Sequence, residues 1–167
     1  VTVLLTEGSR DPLQAHDVVL PGEEGDFLRL LAELAPGDTA NTSRVGRVVL
    51  VGGWHGGGGS TTAAMSLAFT SGSVFLDAAG NRGGWLVEEE GLAWEDLDLE
   101  DLPSSQKLVS GLPRSGGIPI LGPSTGRTIL PDAEGVVAVL STLKQEVVVD
   151  CGANLDALNA LARDLED

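Results

Sequence analysis

Between Val48 and Leu67 the chain reads VVLVGGWHGGGGSTTAAMSL, with four consecutive glycines, Gly56, Gly57, Gly58 and Gly59, followed at once by Ser60 and Thr61. Backbone N–H groups in such a run can converge on one anion, because glycine takes positive φ and lets the main chain approach a phosphate closely. A helix starting at Ser60 adds the positive end of its dipole. Thr61 then stands where a hydroxyl meets Mg²⁺ in a phosphate-binding loop. The strict pattern G-x-x-x-x-G-K-[ST] is not met: counting back from Gly59 puts Trp54 at the first glycine and Ser60 at the lysine. The simpler alternative for the same residues is a glycine-rich strand-to-helix turn that holds no ligand.

Two acids extend this constellation. The apolar runs SVFLDAAG (73–80) and EVVVDCG (146–152) lead into Asp77 and Asp150. At the carboxyl edge of an open α/β sheet, an acid holds Mg²⁺ through water or orients an attacking water. The plainer role for each is to cap the loop that follows. Other chemistries are poorly supplied. Cys151 is the one cysteine, and His16 and His55 are the two histidines, so an internal disulfide is excluded and neither a zinc site nor a Ser-His-Asp set is legible. Cys151 reads as a buried free thiol. Trp54, Trp85 and Trp94 read as core or lid residues ahead of base-stacking platforms.

The elements that must carry these residues alternate between strand and helix. VTVLL (1–5) and HDVVLP (16–21) read as strands, and 23–35 as a helix with Phe27, Leu30, Leu31 and Leu34 on one face. RVVLVGG (47–53) has no polar alternation, as at the centre of a parallel sheet. Helices are expected at 60–70, in a short piece around 93–101, in a turn or two after Gln106, at 131–145 and at 154–167. In 131–145, Val136, Val139, Leu140 and Leu143 should face inward, and Asn154 should cap the last helix. Further strands are expected at 73–80, 117–122 and 146–152. The fold class that follows is α/β, a parallel sheet with helices on both faces.

Composition narrows the setting. The 167 residues suit one α/β domain, or one with part of another, and a 42% hydrophobic content supplies a core. Aromatics are 4%, so aliphatic side chains and alanine must fill it. A formal charge of −15 repels nucleic acid and anionic lipid, and the acids of EEEGLAWEDLDLED (88–101) read as a solvated face or a docking site for a protein partner. No apolar run reaches the length of a membrane span, which with the single cysteine fits a cytoplasmic protein.

Taken together, VVLVGGWHGGGGSTTAAMSLA, SVFLDAAGNRGGWLVEEEG and EVVVDCG resemble the MinD/ParA superfamily of deviant Walker ATPases, a P-loop NTPase-like fold. The similarity is strongest to its CpaE/TadZ-like branch, which includes the actinobacterial septum-site-determining (Ssd) proteins, and LAWEDLD resembles a segment of the Ssd branch. In the family's loop, K-G-G-x-G-K-[ST]-[ST], His55 falls at the signature lysine and Ser60 at the phosphate-binding lysine. Thr61 falls at the Mg²⁺ ligand and Thr62 at the second hydroxyl position. Asp77 matches the acid after the second strand and Asp150 the acid of the switch region, while Ala79 stands where many relatives have another acid.

The resemblance implies a degenerate P-loop domain over 47–167, ending before the family's adenine-binding region, and a linker over 37–46. Residues 1–36 resemble the closing strand–helix part of a response-regulator receiver domain, with Leu20 at its lysine. It implies ATP or ADP with Mg²⁺ held weakly at His55, Gly56–Gly59, Ser60, Thr61 and Thr62, metal at Thr61 and Asp77, and any catalysis at Asp77 and Asp150. It also implies a spatial regulator of division-site placement or of pilus or secretion machinery, acting through protein partners and homodimerisation, with weak or no ATP hydrolysis. Two alternatives remain open at this point: an active ATPase with a non-lysine loop, and a structural α/β module that binds no nucleotide.

Overall fold

In this computed structural model the described residues are 2–6, 18–19, 46–53, 56, 59–80, 90–124 and 131–165. In chain order they form β1 (Thr2–Thr6), β2 (Val18–Val19), β3 (Val48–Gly53), α1 (Ser60–Ser71), β4 (Val74–Asp77), α2 (Ser105–Gly111), β5 (Arg114–Ser115), β6 (Ile118–Leu121), α3 (Ala133–Thr142), β7 (Val147–Gly152) and α4 (Leu155–Asp164). A 3-10 turn at Trp94–Asp96 lies between β4 and α2. The strands make one sheet in the order β2-β1-β3-β7-β4-β6-β5.

Runs of valine, leucine and phenylalanine, with Asp77 and Asp150 toward their carboxyl ends, build the middle of that sheet. β3, β4 and β7 are parallel neighbours, and β4, β6 and β7 are buried along their whole length. Alternation sends their side chains to two separate cores. On one face Val49, Val51, Phe75, Ile120 and Val148 pack with Ala63, Ala64, Leu67 and Ala68 of α1. On the other, Leu50, Leu76, Val147 and Val149 pack with Val136, Val139 and Leu140 of α3 and with Leu158 and Leu161 of α4. Each fully buried valine, leucine or phenylalanine contributes roughly 1.5–3 kcal/mol, so these two layers dominate the stabilisation. The alanine-rich face of α1 lets the helix axis come close to β7, which lies between the two strands that α1 connects.

Most expected elements are present. The strands at 47–53, 117–122 and 146–152 and the helices at 60–70, 131–145 and 154–167 correspond to β3, β6, β7, α1, α3 and α4. Val136, Val139, Leu140 and Leu143 are buried as expected. Asn154 caps α4, its Oδ1 accepting from the Ala157 amide at 3.0 Å. The expected helix at 23–35 and nearly all of the linker at 37–46 lie outside the described residues.

Two expectations are corrected. The sheet is mixed, not wholly parallel: β5 pairs antiparallel with β6 through Gly116 and Gly117, whose φ values of 53° and 88° suit a two-residue hairpin turn. The segment 93–101 carries only the three-residue 3-10 turn, because Leu97 and the acids after it are tied down by local bonds instead of a helical ladder. The strand expected within 73–80 ends at its acid as expected, with Asp77 accepting from the Ala79 amide. Among the described residues no helix is long and apolar enough to cross a membrane.

Candidate functional site

The glycine run leaves β3 at its carboxyl end and enters α1. Trp54, His55, Gly57 and Gly58 lie outside the described residues. Gly56 sits exposed in a turn, and a Cβ at Gly56 or at Gly59 would meet nothing within 4 Å, so both positions border open space. Gly59 caps α1 at φ 80°, a left-handed conformation that costs an L-residue about 1–2 kcal/mol. Its carbonyl accepts the first helical bond, from Ala63 N at 2.9 Å. Ser60 is buried, Thr61 half-buried and Thr62 exposed. The start of α1 has no side-chain cap and no acid in its first turn.

The two acids come together on the sheet face that α1 covers. Asp77 is the last residue of β4 and stands directly beside Asp150 of β7, which in turn stands beside Val51 of β3. Phe75, Val148 and Val51 belong to the core under α1, so alternation places Asp77 and Asp150 on that same face. Both are 0% exposed. Asp150 does not end its strand, contrary to expectation. β7 runs on to Gly152, and the register with β3 slips between Val51 and Gly52, leaving Cys151 as a bulge residue. The slip is accommodated by Gly152 at φ 58°.

Buried carboxylates need local donors, since a charge without them costs several kcal/mol to bury. Each acid has one on its own chain: Asp77 Oδ1 accepts from Ala79 N at 3.0 Å, and Asp150 Oδ1 from Gly152 N at 2.9 Å. The backbone knits them further, with Ala78 N donating to the Asp150 carbonyl at 3.0 Å. Two adjacent acids repel a bare anion and favour a cation, or an anion that carries one. Among the described residues no three His, Cys, Asp or Glu side chains gather into a metal-binding cluster. A metal here would therefore take its remaining ligands from hydroxyls such as Thr61, from water, or from phosphate oxygens. The residues fit an Mg²⁺-phosphate group in kind: open glycine backbone, a helix N-terminus, a threonine hydroxyl and two acids. They lack the lysine charge at Ser60.

Cys151 behaves as the sequence suggests. It is buried on the opposite face of the sheet, and burial, with the negative Asp150 beside it, pushes its thiol from 9.0 up to about 12. A neutral thiol at physiological pH is a poor nucleophile. Trp94 is likewise a buried core residue, while Trp54 and Trp85 lie outside the described residues.

Sequence reasoning missed what surrounds Asp77. The Trp94 indole Nε1 donates to the Asp77 carbonyl at 2.9 Å. The neighbouring Glu95 carboxylate accepts from the Ser124 amide at 3.1 Å and from its hydroxyl at 3.1 Å. Asp96 accepts from the Ala93 amide at 2.9 Å, and Asp98 from the Glu100 amide at 3.1 Å. The acidic stretch is therefore partly structural, three of its acids serving backbone amides. The only cue in the sequence was a tryptophan set among acids, a buried side chain in a segment otherwise written for solvent.

No protein-family model, curated protein or solved structure matches the chain.

Proposed function

We propose that the chain is a CpaE/Ssd-like spatial regulator of the MinD/ParA type, with a degenerate nucleotide-binding loop and weak or no ATP hydrolysis. The observation that carries this reading is the alignment of Asp77 and Asp150 on the α1 face of the sheet, next to the strand that feeds the glycine run. That is the arrangement a magnesium–phosphate group needs: amides and a helix start for the phosphate, acids for the metal. Gly56–Gly59, Ser60, Thr61 and Thr62 form the cradle in this reading, and His55 takes the place of the family's signature lysine. Thr61 and Asp77 serve the metal, and Asp150 orients water.

Weak turnover follows from charge. A lysine contact to phosphate is charge-assisted and worth on the order of 1.5–3 kcal/mol, and Ser60 supplies none. Developing charge in phosphoryl transfer would meet amides and the metal without a lysine, which removes a fixed positive charge from the transition state's surroundings. Binding without efficient hydrolysis suits a protein that responds to nucleotide by changing its protein contacts.

A second reading has its own support. Both acids accept from the amide two residues onward, as loop-capping aspartates do. On that basis the chain is a structural α/β module whose loop holds nothing. Calorimetric titration with Mg-ATP and Mg-ADP, paired with a phosphate-release assay, separates the two. Uptake without turnover supports the regulator. Rapid turnover replaces it with an active ATPase, and no uptake at millimolar nucleotide leaves the structural module.

A further inference from the structure

We infer that Trp94 is a positioning residue for Asp77, supplying a hydrogen-bond donor that the neighbouring strand cannot. Along β4 the amides of Val74 and Ala78 donate to the carbonyls of Glu146 and Asp150. Val74, Leu76 and Ala78 thus turn their backbone groups toward β7, and Phe75 and Asp77 turn theirs toward β6. β4 and β6 run parallel, with Phe75 beside Ile120 and Leu76 beside Leu121. In a parallel ladder a carbonyl accepts from the amide one place beyond its partner. Continued by one step, this register points the Asp77 carbonyl at residue 123. Residue 123 is proline and has no N–H.

The 3-10 turn fills the gap. Trp94 Nε1 reaches the Asp77 carbonyl at 2.9 Å, and the turn is itself fastened to the end of β6. The Trp94 amide donates to the Gly122 carbonyl at 3.1 Å, and Glu95 holds the Ser124 amide and hydroxyl. One peptide unit, Asp77–Ala78, is consequently gripped from both sides, its N–H by β7 and its C=O by the indole. Rotation about the Asp77 Cα–C bond breaks both grips. The carboxylate is thereby held in the turn that sets Oδ1 on the Ala79 amide. What Asp77 is positioned toward rests on the magnesium-nucleotide reading; the grip does not.

The test removes the donor and keeps the shape. Replacing Trp94 with 3-benzothienyl-L-alanine retains two fused rings and loses the N–H. Amide hydrogen exchange then reads the Asp77 turn in the ligand-free chain. The Ala79 amide is expected to exchange about tenfold faster, with the Leu161 amide in α4 unchanged. Adding Pro123→Ala places an N–H opposite the carbonyl and should restore protection, a rescue that a purely space-filling Trp94 would not give. Unchanged Ala79 exchange, or faster exchange with no rescue, overturns the proposal. Trp94→Phe provides a second variant for the same readout. Calorimetry with Mg-ADP on these proteins is expected to show weaker uptake wherever Ala79 loses protection. A wild-type chain that takes up no Mg-ADP, with Ala79 exchange still raised and rescued, would sink the nucleotide reading and leave the positioning role of Trp94 standing.

Discussion

The starts of α1, α3 and α4 solve one problem in two ways. A helix begins with backbone amides that have no partner inside it. At α3, Asp132 Oδ1 accepts from the Gly135 amide at 2.8 Å, and Glu134 adds negative charge in the first turn. At α4, Asn154 does the same for the Ala157 amide, with Asp156 following. At α1 the cap is Gly59, which has no side chain, and the first turn carries no acid. The short α2 also lacks a side-chain bond at its start, but its cap is Ser104, which has an oxygen to offer. Among the described helices only α1 combines a side-chain-free cap with a pair of buried acids on the sheet face it covers. Two of these helices cap their starts with side chains of their own; α1 has no side-chain cap and no acid in its first turn, and in the reading proposed above that end faces a phosphate that arrives with a cation.

The largest expected effect sharpens this contrast. Ser60→Lys places a charge where the first turn of α1 has none, and should tighten Mg-ADP by roughly 10–100-fold, measured by calorimetry, if the loop keeps a phosphate-cradling shape. Unchanged affinity would count against that shape. Next comes Gly59→Ala, which forces a Cβ into left-handed backbone and should cost about 1–2 kcal/mol in urea unfolding, although the space around it is open. Equal stability would show that the loop can relax and is no rigid cradle. Asp132→Ala should cost about 1 kcal/mol by the same measurement, because α3 depends on its own cap. It should leave Mg-ADP affinity untouched. The smallest effect tests the dipole alone. Thr62 is exposed in the first turn of α1, so Thr62→Asp should add about 0.3–1 kcal/mol of stability. The same change should weaken Mg-ADP uptake, since a fixed acid competes with phosphate for the helix end.

Much of the fold was legible in local pattern. Apolar runs at 48–51 and 147–149 mark strands buried on both faces, and Asn154 before an amphipathic run marks a helix start. These features are decided by neighbours within a few residues, so the linear order of side chains is enough to read them. The glycine run, Thr61 and the two acids were legible as candidates for the same reason. The hairpin at Gly116–Gly117 was not, because a two-residue strand carries too short a pattern to stand out from a loop. Nor was the bulge of β7 against β3 at Cys151, which depends on the pairing of two strands far apart in the chain.

Residue types and their spacing established the α/β class, the glycine-lined exit from a central strand and the absence of a lysine at position 60. The meeting of Asp77 with Asp150, on the sheet face that α1 covers, was decided by strand order, which sets β7 between β3 and β4 although it comes last of the strands in the chain. The bond from Trp94 to Asp77 belongs to the same level. It exists because Pro123 denies a donor to a strand that it touches only in the folded sheet, and a hydrogen bond between residues seventeen positions apart leaves no periodicity for a linear reading to detect.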